Sequence, residues 1–380
     1  MTNLAQLGSK IQRFRVQMVL SEDEVEERTG ISADIIKGIE SGTSAPSGDQ
    51  LLILAELFNQ DYKYFLSNDV QSPLEQTESL YRRYGNYLSR EDRWAIQEVL
   101  FFCETEEYLQ NELGRRKRQL PSVDISGTYF KAHGWTAAKQ IRAALDQAGK
   151  QVPVNVFQLF RSLGIHIFRR RLSTSEVSGI FMKHPVAGPC ILVNYHEDEY
   201  RQRFTVAHEA AHAILDASET DPLVTLNSDH SALREVRADA FAGAFLVAPA
   251  AISELSLDSM SRDSFIAICH KLRVNAKTLL IAFEAFNGAN NEATQRFSDI
   301  KLARSTKDDP ELGPDLTDAG RARRQALLER GLSYPYLRLC LDAYREDKIS
   351  LLRLSEVLLM DLDETIQVMR SFGEVVRHRD

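Results

Sequence analysis

The stretch RFTVAHEAAH, residues 203–212, carries the strongest chemical signal in the chain. It places His208 and His212 four residues apart, with Glu209 directly after the first histidine. Residues four apart lie on one face of a helix, so both imidazoles can reach one metal ion. Two imidazoles and a carboxylate suit Zn²⁺ and leave one position open for water. Glu209, rotated by about 100° around the helix, can then accept a proton from that water.

A third metal ligand is predicted on the next helical segment. Glu235 and Asp239 are four residues apart and share one face of that segment. In this spacing the first carboxylate can bind the metal, and the second can orient a ligand histidine through its other ring nitrogen. Two alternatives stay open: a solvated acidic face, and ion pairs of these carboxylates with Arg234 and Arg237.

Groups that would contact a substrate are less well defined. Amide hydrolysis needs a donor for the developing oxyanion, and the candidates are Tyr195, His196, Tyr200 and His230, each of which is also compatible with a surface or loop position. Residues 177–194 predict a β-hairpin before the motif helix. The exposed side of this hairpin could accept an extended substrate by strand addition.

These segments resemble the ImmA/IrrE-type zinc metallopeptidases over residues 137–250. The matching pieces are an early helix, the VSGIFM and CILVN strands, RFTVAHEAAH and EVRADAFAGAFLVAP. The resemblance implies that His208, His212 and Glu235 bind zinc and that Glu209 is the catalytic base. It also matches Asp239 to an Asn or Asp of the second motif. One departure is Ala211, where the family often has glycine.

Another set of elements is predicted near the amino terminus, over residues 4–68. Ser21 can cap a short helix, and Gly30 can end it with a positive φ that only glycine adopts cheaply. Ser32 then caps a second short helix with an apolar stripe. Two short helices around a tight turn, bracketed by others, are typical of a helix-turn-helix.

This region resembles the Xre (Cro/C1-type repressor) DNA-binding family, notably in GIESGTSAPSGDQLLILAELF. The resemblance implies that residues 32–40 form the DNA-reading helix. Its exposed side would present Ser32, Ala33, Asp34 and Lys37. Operator DNA is therefore a predicted partner, and modules of this kind usually form homodimers.

The charge of the module leaves a second interpretation open. Residues 1–70 carry six Lys and Arg against eleven Asp and Glu, a net charge of 6 − 11 = −5. Five acidic residues precede the recognition helix, and near a phosphate backbone they would repel it: Glu22, Asp23, Glu24, Glu26 and Glu27. The alternative is a dimerisation or partner-docking module that keeps the helix-turn-helix fold.

The composition, and the positions of Pro, Gly and charged runs, predict a folded protein of several domains. The chain has 380 residues, of which 43% are hydrophobic, and its net charge is −8. Its four cysteines lie far apart and are predicted to be reduced. We find neither a membrane-spanning stretch nor a secretory signal, which predicts a cytoplasmic protein without a membrane partner.

The predicted fold class is α+β, mostly α, with four parts. Residues 1–70 form an all-α helix-turn-helix domain, 71–125 a helical linker, 126–302 a zincin-like domain with a small sheet, and 303–380 a polar linker with a helical carboxy-terminal region. The predicted function is a zinc-dependent endopeptidase that cleaves a protein substrate to control transcription, and the predicted substrate is an Xre-type repressor. One alternative is a DNA-binding regulator or antitoxin whose metal domain senses zinc or a ligand and does not cleave. Another is a scaffold that holds partner proteins.

Overall fold

The computed structural model describes most of the chain. The chain divides into two compact units, Met1–Phe101 and Phe102–Asp380. The described residues are 3–67, 75–115, 119–126, 130–148, 150–216, 223–226, 233–253, 255–288, 291–304, 307–313 and 315–376. The observed α+β architecture is mostly helical and confirms the predicted fold class. The finer four-part division stays a prediction.

The first unit is helical in its described part. Its elements are α1 (Leu4–Gln17), α2 (Glu22–Thr29), α3 (Ala33–Glu40), α4 (Gly48–Leu57), α5 (Tyr62–Leu66), α6 (Glu75–Tyr84), a 3-10 helix (Gly85–Tyr87) and α7 (Arg90–Glu112), inside which the two units divide. Ser21 and Glu24 form a capping box at the start of α2. Gly30 ends α2 at a φ of 72°, as predicted. The core below these helices contains the packed rings of Phe14, Phe58 and Phe65.

The second unit is built on a four-stranded sheet. Its strands are β1 (His166–Arg170), β2 (Val177–His184), β3 (Gly188–Asn194) and β4 (Leu223–Leu226), in the order β1-β3-β2-β4. β1 and β3 are parallel, and β2 is antiparallel to both β3 and β4. The sequence predicts β1 and the hairpin of β2 and β3. It does not predict β4, which has only four residues.

Helices surround this sheet. They are α8 (Phe130–Ala144), α9 (Val156–Arg161), α10 (Glu199–Leu215), α11 (Leu233–Leu246), α12 (Pro249–Ile252), α13 (Arg262–Leu272), α14 (Ala276–Asn287), α15 (Asn291–Phe297), α16 (Asp318–Glu329), α17 (Tyr334–Arg345), α18 (Leu351–Leu358) and α19 (Leu362–Ser371). The buried α10 lies against β2, β3 and α11, so the motif helix is enclosed in the core. Among the described helices, none combines the length and apolar content that crossing a bilayer requires.

Residues 303–320, predicted as a polar linker, contain a segment that is part of the core. Lys307, Asp309 and Glu311 are all buried. Asp309 and Glu311 both pair with the fully buried guanidinium of Arg169 on β1, at 2.9 and 2.7 Å. Glu311 also pairs with Arg161 of α9 at 2.7 Å. Buried charges require such partners, so the polar composition of this segment reflects an internal ion-pair network.

Candidate metal centre

His208, His212 and Glu235 converge in the second unit. The helix α10 places the two imidazoles one turn apart, and α11 supplies the carboxylate from its first turn. The Nε2 atoms of His208 and His212 lie 3.2 Å apart. Oxygens of Glu235 lie 3.0 Å from Nε2 of His208 and 3.5 Å from Nε2 of His212. These ligand atoms all lie within 4.8 Å of one another, as binding to one ion requires.

The outer nitrogen of each imidazole has a carboxylate partner. Nδ1 of His208 lies 2.9 Å from Asp239, as predicted from the spacing. Nδ1 of His212 lies 2.9 Å from Asp216, a residue that the sequence analysis missed although it is four positions after His212. Arg237 donates to the other oxygen of Asp216. The predicted alternative, in which Arg237 pairs with Glu235 or Asp239, is therefore replaced by an ion pair with Asp216.

The donor set fits a divalent cation such as zinc. A carboxylate at each Nδ1 fixes the proton on that nitrogen, so the Nε2 lone pairs of His208 and His212 point toward each other. Two lone pairs 3.2 Å apart, with Glu235 beside them, are stabilised by a positive charge between them, which a metal ion or a proton supplies. Two imidazoles and one carboxylate are a ligand set of catalytic zinc sites, where a fourth position stays open.

The pKa shifts of the same groups have a common cause. Burial lowers the pKa of His208, but hydrogen bonds to Asp239 and Glu235 outweigh it and raise the pKa to about 10. For Glu235, burial raises the pKa, but the two imidazoles outweigh it and hold the pKa well below its usual range. The surrounding carboxylates therefore stabilise positive charge at this point of the core, which is the charge that a cation brings.

Glu209 is fully buried on the side of α10 that faces β2. Neither of its carboxylate oxygens makes a hydrogen bond of ordinary length to a described residue, but the buried hydroxyl of Thr225 on β4, which also lacks such a bond, is close enough to lower the pKa of Glu209. A Cβ atom at Gly179 of β2 would lie 2.7 Å from Oε1 of Glu209, so only glycine leaves room for this side chain. Burial raises the pKa of Glu209, against the effect of the nearby imidazoles. A buried carboxylate without a hydrogen bond of ordinary length costs free energy, which is typical of a group kept for chemistry.

The oxyanion candidates are engaged elsewhere or not described. The hydroxyl of Tyr195 donates to Asp309 at 3.0 Å, and that of Tyr200 shares a hydrogen bond with His270 at 3.4 Å. His196 is exposed. His230 lies outside the described residues. The structure therefore brings none of the three described candidates into the cluster of metal-ligand atoms.

The predicted strand addition to the hairpin is wrong. β2 pairs with β3 on one side and with β4 on the other, and β3 pairs with β1 and β2. Both strands of the hairpin are thus internal, and neither offers a free edge. Within the described residues, the edge strands are β1 and β4, and β4 carries Thr225 beside Gly179 and Glu209.

The predicted DNA-reading residues differ in their exposure, and their contact with DNA stays a prediction. Asp34 and Lys37 are exposed on α3, and the N-cap residue Ser32 is half-buried. Ala33, predicted to be exposed, is buried, because it starts the first turn of α3 and its N–H donates to Glu26 at 2.8 Å.

Three of the five acidic residues before α3 have internal partners. Glu22 pairs with Arg15 and Glu24 with Arg90, while Glu26 caps α3. Their charge is therefore partly neutralised or turned toward the protein. Asp23 and Glu27 stay exposed on α2.

Two protein-family models match separate parts of the chain. Residues 160–282 match a peptidase family, M78, whose model is described as the IrrE N-terminal-like domain. Residues 11–65 match the helix-turn-helix family. The stretch that matches the peptidase family contains the whole His208, His212 and Glu235 cluster, and the stretch that matches the helix-turn-helix family lies in the first unit. No curated protein and no solved structure gives a significant match.

Proposed function

We propose that the chain is a zinc-dependent endopeptidase fused to a helix-turn-helix module, and that it cleaves a repressor-type protein to control transcription. The observation that carries this proposal is the convergence of His208, His212 and Glu235, with the fully buried Glu209 next to His208 on the same helix. A purely structural metal site has no need of a carboxylate base in that position.

His208, His212 and Glu235 hold the ion, while Asp239 and Asp216 keep the two imidazoles in the required tautomer and orientation. A bound zinc ion supplies Lewis acidity, which makes water acidic near neutral pH and polarises a carbonyl. Carboxylates behind the histidines also make the imidazoles more basic and so better ligands. The side chains of this site are thus arranged for binding before any substrate arrives.

Glu209 acts as general base and then as general acid. It takes a proton from the water that attacks the scissile peptide carbonyl, and it passes this proton to the leaving amine. Its burial keeps bulk water from competing for the proton. Because Glu209 directly follows His208, the proton acceptor and one of the proposed metal ligands belong to the same helix.

The helix-turn-helix match supports the choice of substrate. A module of the repressor fold in the same chain can associate with a related repressor and present it to the peptidase domain. The same module also makes the chain itself a candidate substrate. Both possibilities give a proteolytic event that changes transcription.

The test combines elemental analysis with proteolysis on the full chain. Purified wild-type protein should contain about one zinc per chain, and His208→Ala should lose it. Glu209→Gln should keep zinc and lose cleavage of helix-turn-helix repressors, by about 100-fold or more. Zinc without proteolysis in the wild type would favour a regulator whose metal domain senses, and unchanged turnover in Glu209→Gln would refute the base assignment.

A further inference from the structure

A polar cavity of about 390 Å³ lies in the second unit, lined by residues other than those of the metal cluster. Its described lining comes from the residue after β1, the turn before α10 and the first residue of α10, from residue 304 and residues 307–312, and from α16. Four cationic and four acidic side chains line it, so its formal charge balances. Small-molecule sites usually enclose about 300–1,000 Å³, which places this cavity at the size of a small metabolite.

Half of these charges already have partners in the protein. Asp309 binds the buried Arg169, and Lys307 donates to Asp198 at 2.6 Å. Arg171 pairs with Glu329 at 3.1 Å. These groups form the wall of the cavity and are not available to a ligand.

The guanidinium groups of Arg304 and Arg321 in the wall donate to main-chain carbonyls and not to carboxylates of the described residues. Arg304 donates to the main-chain carbonyls of His196 and Glu197 at 3.0 and 3.2 Å, and Arg321 donates to that of Gly313 at 3.4 Å. Neither has a carboxylate within 4.0 Å in the part of the chain that the structure describes. Guanidinium groups bind carboxylates strongly through paired N–H donors, so both retain capacity for an anionic group.

An acceptor without a partner lies in the same wall. Oε2 of Glu199 is buried and has no hydrogen-bond donor among the described residues. Leaving a buried carboxylate oxygen unpaired is costly. Asp308, also in the lining, is exposed and adds a second negative charge. A ligand with a cationic donor would satisfy this side of the cavity.

The geometry points to a binding site for a free α-amino acid. Its carboxylate is bound by Arg304 and Arg321, and its ammonium group donates to Glu199 and faces Asp308. A simple anion would satisfy only the guanidinium groups and would meet the negative charge of Glu199. A zwitterion satisfies both sides and leaves the charge balance of the cavity unchanged. Since Leu312 is the one aliphatic residue among the described lining residues, the site favours a polar side chain.

The experiment is calorimetric titration of the full chain with each of the twenty free amino acids. We expect saturable binding of one or a few polar amino acids. For the best binder, the α-hydroxy acid and the decarboxylated amine should each bind at least about tenfold more weakly, because each lacks one charged contact. Arg304→Ala, Arg321→Ala and Glu199→Gln should weaken binding by a similar factor.

Arg323→Ala is the matched control, since Arg323 is exposed on α16 outside the cavity lining, and it should bind as the wild type does. Phosphate and citrate are titrated beside the amino acids. Binding of these anions with equal affinity, binding that survives Arg304→Ala and Arg321→Ala, or no binding by any amino acid would each overturn the proposal. Glu209→Gln should bind the amino acid normally, so this site can fail or succeed independently of the peptidase.

Discussion

Asp216 lies 2.9 Å from Nδ1 of His212 and repeats, on the second imidazole, the contact that Asp239 makes with Nδ1 of His208 at the same distance. The two carboxylates come from different elements, since Asp216 ends α10 and Asp239 lies on α11. Arg237 donates a hydrogen bond to the second carboxylate oxygen of Asp216. Both rings are therefore fixed by carboxylates outside the ligand set, which lowers the cost of bringing their Nε2 atoms together.

We expect Asp216→Asn and Asp239→Asn each to weaken zinc binding by about 10- to 100-fold, because an amide orients the imidazole less strongly and lowers its basicity. Competition with a chromogenic chelator measures this affinity without an activity assay. Asp263→Asn, at an exposed position of α13, is the control and should bind zinc normally. Wild-type affinity in Asp216→Asn would show that His212 is oriented by the helix alone.

Gly179 is predicted to be required for turnover but not for metal binding. An added Cβ would lie 2.6 Å from Cγ2 of Thr205 and 2.7 Å from Oε1 of Glu209, so Gly179→Ala must displace the base. Misplacement of a catalytic group by about 1 Å can cost about 100-fold in rate. Peptidase assays and zinc analysis on the same sample separate the two effects. Gly48→Ala, where an added Cβ meets nothing within 4 Å, should leave both unchanged.

The convergence of His208 and His212 could be predicted from the sequence because helix geometry alone brings them together. The contact between Glu235 and these histidines depends on how α10 and α11 pack, and there the family resemblance supplied what spacing could not. Asp216 obeys the same four-residue spacing from His212. It was missed because it sits at the last turn of α10, where a carboxylate is more often solvated.

The fold was harder to predict where it depends on distant partners. The strand addition to the β2–β3 hairpin is wrong because β4 occupies the free side of β2, and a four-residue strand gives almost no periodic signal. The charged segment that contains Asp309 and Glu311 has the composition of a linker. Its burial depends on Arg169 and Arg161, which lie more than a hundred residues earlier.

The ion-pair network around Glu311 gives a prediction for stability. Burial raises the pKa of Glu311, but Arg161 and Arg169 outweigh it and lower the pKa to about 2. Glu311→Gln leaves the buried charge of Arg169 partly unpaired, so we expect the second unit to lose roughly 3 kcal/mol of unfolding free energy. Chemical denaturation of the full chain measures this. Glu346→Gln, at an exposed residue after α17, should change stability little.

The lowered pKa of Glu311 also predicts how the stability of the second unit depends on pH. The pKa of Glu311 is lower in the folded than in the unfolded chain, so its contribution is complete above about pH 5 and is lost as the pH falls toward 2. The difference in unfolding free energy between the wild type and Glu311→Gln should therefore shrink with acidification below pH 5. A difference that stays constant from pH 7 to pH 3 would show that the carboxylate charge is not the source.

The charge of the helix-turn-helix unit gives a prediction for DNA binding. Because Asp23 and Glu27 are exposed beside the predicted recognition helix, and Lys37 is its exposed cation, we expect wild-type protein to bind operator duplex weakly and only at low salt. Glu27→Lys should raise the affinity and steepen its salt dependence, whereas Lys37→Gln should lower it. Electrophoretic shifts at several salt concentrations measure both effects.

The control for this series is Glu56→Lys, which makes the same charge change at an exposed position of α4. If DNA approaches α3, the local substitution Glu27→Lys should act more strongly than Glu56→Lys, because exposed charges farther away than about 10 Å are largely screened at 0.1 M salt. Equal effects of the two variants would indicate non-specific attraction. The absence of a shift for wild type and Glu27→Lys, even at low salt, would exclude the DNA interpretation and leave the partner-docking one.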